Sequence, residues 1–316
     1  MELNNIICEY NENNNNYNYN YNFGFPDIYS QSIITIKKGL KNQFLKKHIE
    51  AKYLEEFNYL VQTIDNDRLH NEKLLENNKL NRYKDIRPYK DNLVAINSKN
   101  RYINASWINI PSDRFFISTQ GPLETTIDDF WEMCYEYNVN VIVMLCQLVE
   151  KNKIKCANYW ERGNAGKYIL ERLDEFDING IIVRNFQIKK SKNDFLPKTV
   201  VQLHYTNWED HDVPDLQSYN LLKQLMIFIN RYKYNSPVVI HCSAGVGRTG
   251  TFIALYNLCN DIIRKIRDER KREIKFSVMD EVRKLKEMRI HMVQNDKQYL
   301  FIYQFICMLL KENNLI

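Results

Sequence analysis

The sequence predicts one domain of the α/β (α+β) class, a central twisted mixed sheet flanked by helices. Three observations predict it. Short β-branched runs recur through the middle of the chain, and VNVIVMLC at 139–146 is apolar almost end to end, as a strand buried on both faces is. Segments with apolar residues at helical spacing lie between and after these runs. At 44% hydrophobic and 26% charged residues over 316 positions, with no internal repeat, the chain can bury a sizeable core, and helices on a mixed sheet are the simplest packing.

Taken in order, the chain starts on a low-complexity tract, NENNNNYNYNYN at 11–22, which cannot build a core. Residues 1–30 are therefore expected to be a disordered Asn/Tyr-rich tail, with a single catalytic domain over 38–312. Phe44, Leu45, Ile49, Leu54, Phe57, Leu60 and Val61 recur near helical spacing and predict a helix over 41–62. Residues 71–79 are mostly polar and read as a loop, and Pro88 ends any helix in the segment after it. A helix is expected over 128–137 and a buried strand over 139–146. Strands are expected over 167–172, 180–188 and 199–205, then a helix over 216–232 and a strand over 237–240. Helices over 247–272, 278–288 and 296–311 close the chain. The run 264–275 has seven basic and three acidic residues, and such mixed signs on a helix predict a solvated face.

Composition excludes several classes. A net charge of +5 suits acidic or phosphorylated partners but falls short of a nucleic-acid signature. The longest apolar run, 141–146, is too short to span a bilayer. The N-terminus reads as neither a secretory signal nor a myristoylation site. Seven cysteines without a CxxC pair predict reduced thiols in a cytoplasmic protein, with no metal and no cofactor.

The chemistry concentrates in VVIHCSAGVGRTG, 238–250, which holds three of the nine glycines. Strand, tight loop and helix follow one another here. Such a loop points backbone N–H groups inward, and the helix N-terminus adds partial positive charge. Glycine permits the close approach this needs, and Arg248 offers a planar fork for two phosphate oxygens. A cysteine in that cradle is stabilised as thiolate. The bland alternative, Cys242 as a buried thiol in an ordinary strand–helix turn, leaves the glycines and Arg248 unexplained.

HCSAGVGRTG resembles the signature loop of the protein tyrosine phosphatases, HCxxGxxR followed by Ser or Thr and Gly. The resemblance extends over about 44–310. LNRYKDIRPY (80–89) is similar to the phosphotyrosine-recognition loop, YINASWI (102–108) to YINAS, and FISTQGPLETTIDDFWEMCYE (116–136) to TQGPLxxTxxDFWxM. VIVMLCQLVEKNKIKCANYW (141–160), HYTNWEDHDVP (204–214) and MVQNDKQYLFIYQ (292–304) resemble further family blocks. The NRY loop and QGPL block imply the tyrosine-specific, non-receptor branch, its fold, and phosphotyrosine-containing proteins as partners of a monomer.

The resemblance also implies roles. Cys242 attacks phosphorus and becomes phosphocysteine. Arg248 and the amides of Ser243, Ala244, Gly245, Val246, Gly247 and Arg248 hold the equatorial oxygens. Thr249 hydrogen-bonds the thiolate, and Asp210 is the general acid, then base. Gln294 and Gln298 position water. Tyr83 packs on the substrate ring and Asp85 bonds peptide amides. Glu150 and Lys155 steady Arg248 and Asp210, Trp208 belongs to the loop that carries the acid, and Tyr159 orients His241. The chain departs from the pattern at Leu80, at Glu209 where the family has proline, at Asp212 where it has glycine, in PYKDNLV (88–94), and at His291 where some relatives have glycine. These bear on rate and substrate choice. A phosphotyrosine-binding module without turnover is opposed by the presence of Cys242, Arg248 and Asp210. A phosphoserine or phosphoinositide phosphatase is opposed by the NRY loop and by the absence of lysine from 243–247.

Overall fold

A computed structural model describes residues 28–38, 44–65, 78–96, 101–110, 114–161, 163–190, 196–209, 212–215, 218–232 and 235–316. In chain order its main elements are α1 (Ile28–Gln31), β1 (Ile34–Lys37), α2 (Phe44–Leu60), β2 (Leu93–Ile96), β3 (Arg101–Ile108), β4 (Phe116–Thr119), α3 (Ile127–Glu136), β5 (Val141–Met144), β6 (Val149–Glu150), β7 (Lys153–Ile154), β8 (Asn164–Ala165), β9 (Tyr168–Ile178), β10 (Ile181–Lys189), β11 (Lys198–Tyr205), α4 (Tyr219–Asn230), β12 (Val238–His241), α5 (Gly247–Arg267), β13 (Glu273–Phe276), α6 (Val278–Met288) and α7 (Asp296–Glu312).

The expected mixed sheet is present, with nine strands in the order β2-β3-β4-β12-β5-β11-β10-β9-β8. Its centre is parallel, β4, β12, β5 and β11 running together, and its flanks are antiparallel. The three middle strands, FIST, VVIH and VIVM, are buried at every residue. That is why they read as unbroken apolar or small-residue runs rather than alternating ones. β9 and β10 form a long antiparallel hairpin at the edge, with Asn179 and Gly180 at positive φ in its tight turn. Helix α5 is buried from Gly247 through Cys259 and packs on α6 and α7. Ser277 and Asn295 cap α6 and α7, their side chains accepting the amides of Asp280 and Gln298.

Three expectations change. The helix expected over 247–272 stops at Arg267, where Asp268 turns extended (φ −73°, ψ 100°). The basic run then re-enters as β13, which pairs with β1 in antiparallel register. Ile274 and Phe276 alternate inward opposite Ile36 and Ile34, a period of two that no helix face provides. The domain accordingly begins upstream of residue 38, because β1 is part of the core. The segments YINASWI and FIST are strands β3 and β4, which periodicity alone did not reveal. Of the tail expected over 1–30, residues 1–27 lie outside the described residues and 28–30 open α1. Among the described residues no helix is long and apolar enough to cross a membrane.

Candidate active site

The carboxyl ends of four parallel strands converge on one cleft, the place where open α/β sheets gather ligands. β12 delivers Cys242, β4 delivers Gln120 and Gly121, β5 leads to Cys146, and β11 leads to Trp208. The cavity is about 740 Å³. It is lined among others by Tyr83, Asp85, Glu150, Lys155, Cys242, Ser243, Ala244, Gly247, Arg248, Gln294 and Gln298, all residues singled out from the sequence.

The loop after β12 has its carbonyls turned outward and held. The Cys242 oxygen faces His241 Nδ1 at 3.1 Å, and the Ser243 oxygen accepts the Gly121 amide at 2.9 Å. Arg289 Nη2 donates to the Ala244 oxygen at 3.0 Å and its Nε to the Gly245 oxygen at 2.9 Å. Ser118 Oγ adds a second bond to Gly245 at 2.8 Å, and the Val246 oxygen accepts from Gly250 and Val293. The N–H of a trans peptide points opposite its C=O. Fixing the oxygens outward therefore turns amides of this loop inward, where an anion meets donors and no lone pairs. Gly245 makes the fit possible. Its φ is +70°, and a Cβ there would lie 2.1 Å from the Thr119 oxygen.

Cys242 sits on the floor, 3% exposed, with its Sγ accepting the Gly245 amide at 3.3 Å. Burial pushes the thiol up. The Arg248 guanidinium and the amides of Thr249 and Gly245 outweigh that, and the thiol lies below its ordinary value. The buried thiols of Cys134, Cys146, Cys156 and Cys259 show the contrast. Burial raises each of them, and no such set of donors surrounds them.

Arg248 is 2% exposed and forks onto Glu150 at 2.6 and 3.2 Å. Its Nη1 also donates to the Trp208 carbonyl at 2.8 Å. Burial disfavours its charge, but Cys242 and Glu150 more than compensate and keep it protonated. The Trp208 ring is buried against Phe301, and its Nε1 donates to the Asp212 carbonyl at 2.9 Å. Asp210 lies outside the described residues. Tyr83 donates to Ser243 Oγ at 2.9 Å, since the Ser243 hydroxyl itself donates to the Lys155 carbonyl at 3.0 Å. Gln294 and Gln298 meet through the Gln294 amide and Gln298 Oε1 at 2.9 Å. Val293, just before them, is β-branched at φ +58°, an unusual conformation held by its amide bond to Val246. His291 has φ +57°, which explains why glycine also suits this position.

Sequence reasoning missed two arginines. Arg82 ties the recognition loop to the strand ends through Gly121, Pro122 and Ile154 carbonyls at 3.0, 2.6 and 3.3 Å. Arg289 is fully buried and pulled down to about 10 by burial, so it stays charged at neutral pH. NRY contained the first in plain sight. Nothing local marked the second, since its partners lie on β3 and in the cysteine loop.

A family model for protein-tyrosine phosphatase matches residues 77–308. The chain belongs to the protein-tyrosine phosphatase family. It is 34% identical over 270 residues to tyrosine-protein phosphatase non-receptor type 20 of Rattus norvegicus, covering 83% of this chain and 62% of that protein. With non-receptor type 13 of Homo sapiens it shares 33% identity over 290 residues, 87% of this chain and 11% of that protein. With receptor-type phosphatase eta of Mus musculus it shares 35% over 244 residues, 74% and 19%. The chain thus spans less than two thirds of the length of these relatives. The match includes the whole cleft of this family member, from Asn81 to Gln298.

Proposed function

We propose that the protein hydrolyses phosphotyrosine in proteins through a phosphocysteine intermediate on Cys242. One observation carries this reading: a thiol held below its ordinary value lies inside a loop whose carbonyls face away from it. That environment favours a thiolate and a phosphate dianion together, and it does little for a neutral ligand.

The sulfur attacks phosphorus in line with the tyrosyl oxygen. The S–P bond forms as the P–O bond breaks, and inward amides with Arg248 carry the charge of the equatorial oxygens. Glu150 holds one edge of the Arg248 fork and fixes the guanidinium beside Cys242. Asp210 protonates the leaving tyrosyl oxygen. It then takes a proton from water as that water attacks phosphorus and expels the sulfur. Gln294 and Gln298 position the water, and the Thr249 hydroxyl stabilises the departing thiolate. Tyr83 lines the wall, and Asp85 bonds the peptide beside the phosphotyrosine. His241 and Tyr159 hold the Cys242 peptide from behind. The chain acts as a cytoplasmic monomer without metal or cofactor.

Phosphate release from one peptide carrying phosphotyrosine or phosphoserine at the same position tests this, with Cys242→Ser as the blank. Turnover of phosphotyrosine alone is expected. Equal turnover of phosphoserine would overturn the substrate assignment. Binding without turnover would make the chain a recognition module.

A further inference from the structure

Behind the cleft runs a line of buried polar groups that ends on the nucleophile's own peptide. Arg184 of β10 is 6% exposed, its guanidinium lying 4.4 Å from the Trp160 ring and its Nε on Glu175 at 2.5 Å. Its Nη1 donates to Gln202 Oε1 at 2.8 Å. Gln202 Nε2 donates to the Tyr159 hydroxyl at 2.6 Å. That hydroxyl meets His241 Nε2 at 2.8 Å, and His241 Nδ1 meets the Cys242 carbonyl at 3.1 Å. Gln202, Tyr159 and His241 are fully buried, so water cannot substitute for a missing partner.

The chemistry gives this line a direction. A guanidinium only donates, so Arg184 forces the oxygen of the Gln202 amide toward itself. The amide nitrogen then faces Tyr159 and donates to it. The single Tyr159 proton goes to His241 Nε2 at 2.8 Å rather than to the Met144 sulfur, a weak acceptor at 4.0 Å, and Nε2 must be bare to accept it. In a neutral imidazole the proton is then on Nδ1, where it donates to the Cys242 carbonyl. Neutrality fits the site, since burial pulls His241 down to about 3. His204 supports the same arrangement, accepting from Arg184 at Nδ1 and donating to the Cys146 carbonyl from Nε2 at 2.8 Å.

We propose that Gln202, oriented by Arg184, is a positioning residue that sets the tautomer of His241 through Tyr159 and so holds the Cys242 carbonyl away from the substrate. Without Gln202, the Tyr159 hydroxyl can accept from a protonated Nε2 instead. The bare Nδ1 then faces the Cys242 oxygen, lone pair against lone pair, and the peptide that carries the nucleophile loses its anchor. The consequence for catalysis rests on the phosphatase reading, but the tautomer does not.

The test uses protein with ¹⁵N-labelled histidine, without substrate, at pH 8. Two-bond ¹H–¹⁵N correlations are expected to show Nε2 of His241 unprotonated in the wild type. Gln202→Glu keeps the shape and reverses the polarity, because a carboxylate accepts from both Arg184 and Tyr159. Nε2 is expected to be protonated in that variant. A protonated Nε2 in the wild type overturns the proposal with no variant needed, and so does a bare Nε2 in folded Gln202→Glu. In parallel, Gln202→Leu is expected to slow iodoacetamide alkylation of Cys242 at pH 6 by roughly three- to tenfold, the span of one buried neutral hydrogen bond. The plateau at high pH should be unchanged, and an unchanged profile throughout would remove the link to Cys242. An inactive wild type with the expected tautomer would sink the phosphatase reading alone.

Discussion

The cysteine loop, 242–248, and the loop after β11, 206–215, serve the same proposed reaction and are built in opposite ways. The first is buried except at Ala244, and each carbonyl from Cys242 to Gly247 has a partner. The second is pinned at Trp208, through its ring and through the bond from Arg248 to its carbonyl. One residue further on, Glu209 stands in solvent and meets Lys151 at 3.6 Å, with side chains 73% and 75% exposed. An exposed pair of this kind contributes about 1 kcal/mol at most. The difference separates two tasks. Binding an oxyanion needs dipoles fixed before the substrate arrives, whereas delivering a proton needs a group that can follow the substrate in and let the product out. Arg248 joins the two, since one guanidinium lines the cleft beside Cys242 and holds the Trp208 carbonyl.

Five substitutions sharpen or break this contrast. Cys242→Ser should abolish turnover, a loss on the order of the 10⁶-fold that removal of a nucleophile causes. A hydroxyl is not ionised where this thiol is, and rapid-quench trapping of phosphocysteine in the wild type is the complementary measurement. Asp210→Ala should lower kcat by about 10²–10⁴-fold, the span of general acid catalysis, with phosphopeptide binding by calorimetry retained. Equal turnover of mutant and wild type on a substrate with a poor leaving group would assign the proton to another residue.

Gly245→Ala should lower kcat by roughly 10²-fold, the scale of a misplacement near 1 Å. It should also destabilise the fold by at least about 1–3 kcal/mol for the left-handed backbone alone. The added Cβ meets backbone at Thr119 and Gln120 rather than a side chain that could swing away. Urea unfolding beside steady-state kinetics reads both. A fully active, stable alanine variant would show that the cradle is not preorganised as described.

Glu209→Pro has the smallest expected effect, a rise in kcat of about two- to fivefold, because proline restricts φ and lowers the entropy cost of ordering the loop. The sequence alone suggests that Glu209 also repels phosphate. The nearby Lys151 ammonium moderates that repulsion, leaving the backbone as the main cause. Lys151→Ala separates the two contributions, since it should lower kcat/KM while kcat holds. A fall in kcat for Glu209→Pro would mean that the loop has adapted to glutamate.

Some of this molecule is written locally. The strand–loop–helix around Cys242 could be read from three glycines, a cysteine and an arginine, because an anion cradle is made by one short stretch of backbone. The helices α3, α4, α6 and α7 fell within a few residues of expectation, since each carries its own apolar stripe and two of them their caps. The end of α5 did not, because Ile274 and Phe276 are placed by β1, about 240 residues away in sequence. Tertiary structure also decided which groups hold the cradle open. Arg289 is an unremarkable basic residue in the sequence and becomes the clamp on Ala244 and Gly245 only when α6 brings it beneath the loop. Gln202 reads as one of several polar residues in its strand, KTVVQLHY. Strand order sets it between Arg184 and Tyr159, and only that placement gives its amide a direction. Sequence determines what a short segment can bind, because backbone dihedrals and neighbouring side chains are local properties. Which buried polar groups meet, and which of them donates, depends on long-range packing, because the partners come from segments far apart in the chain.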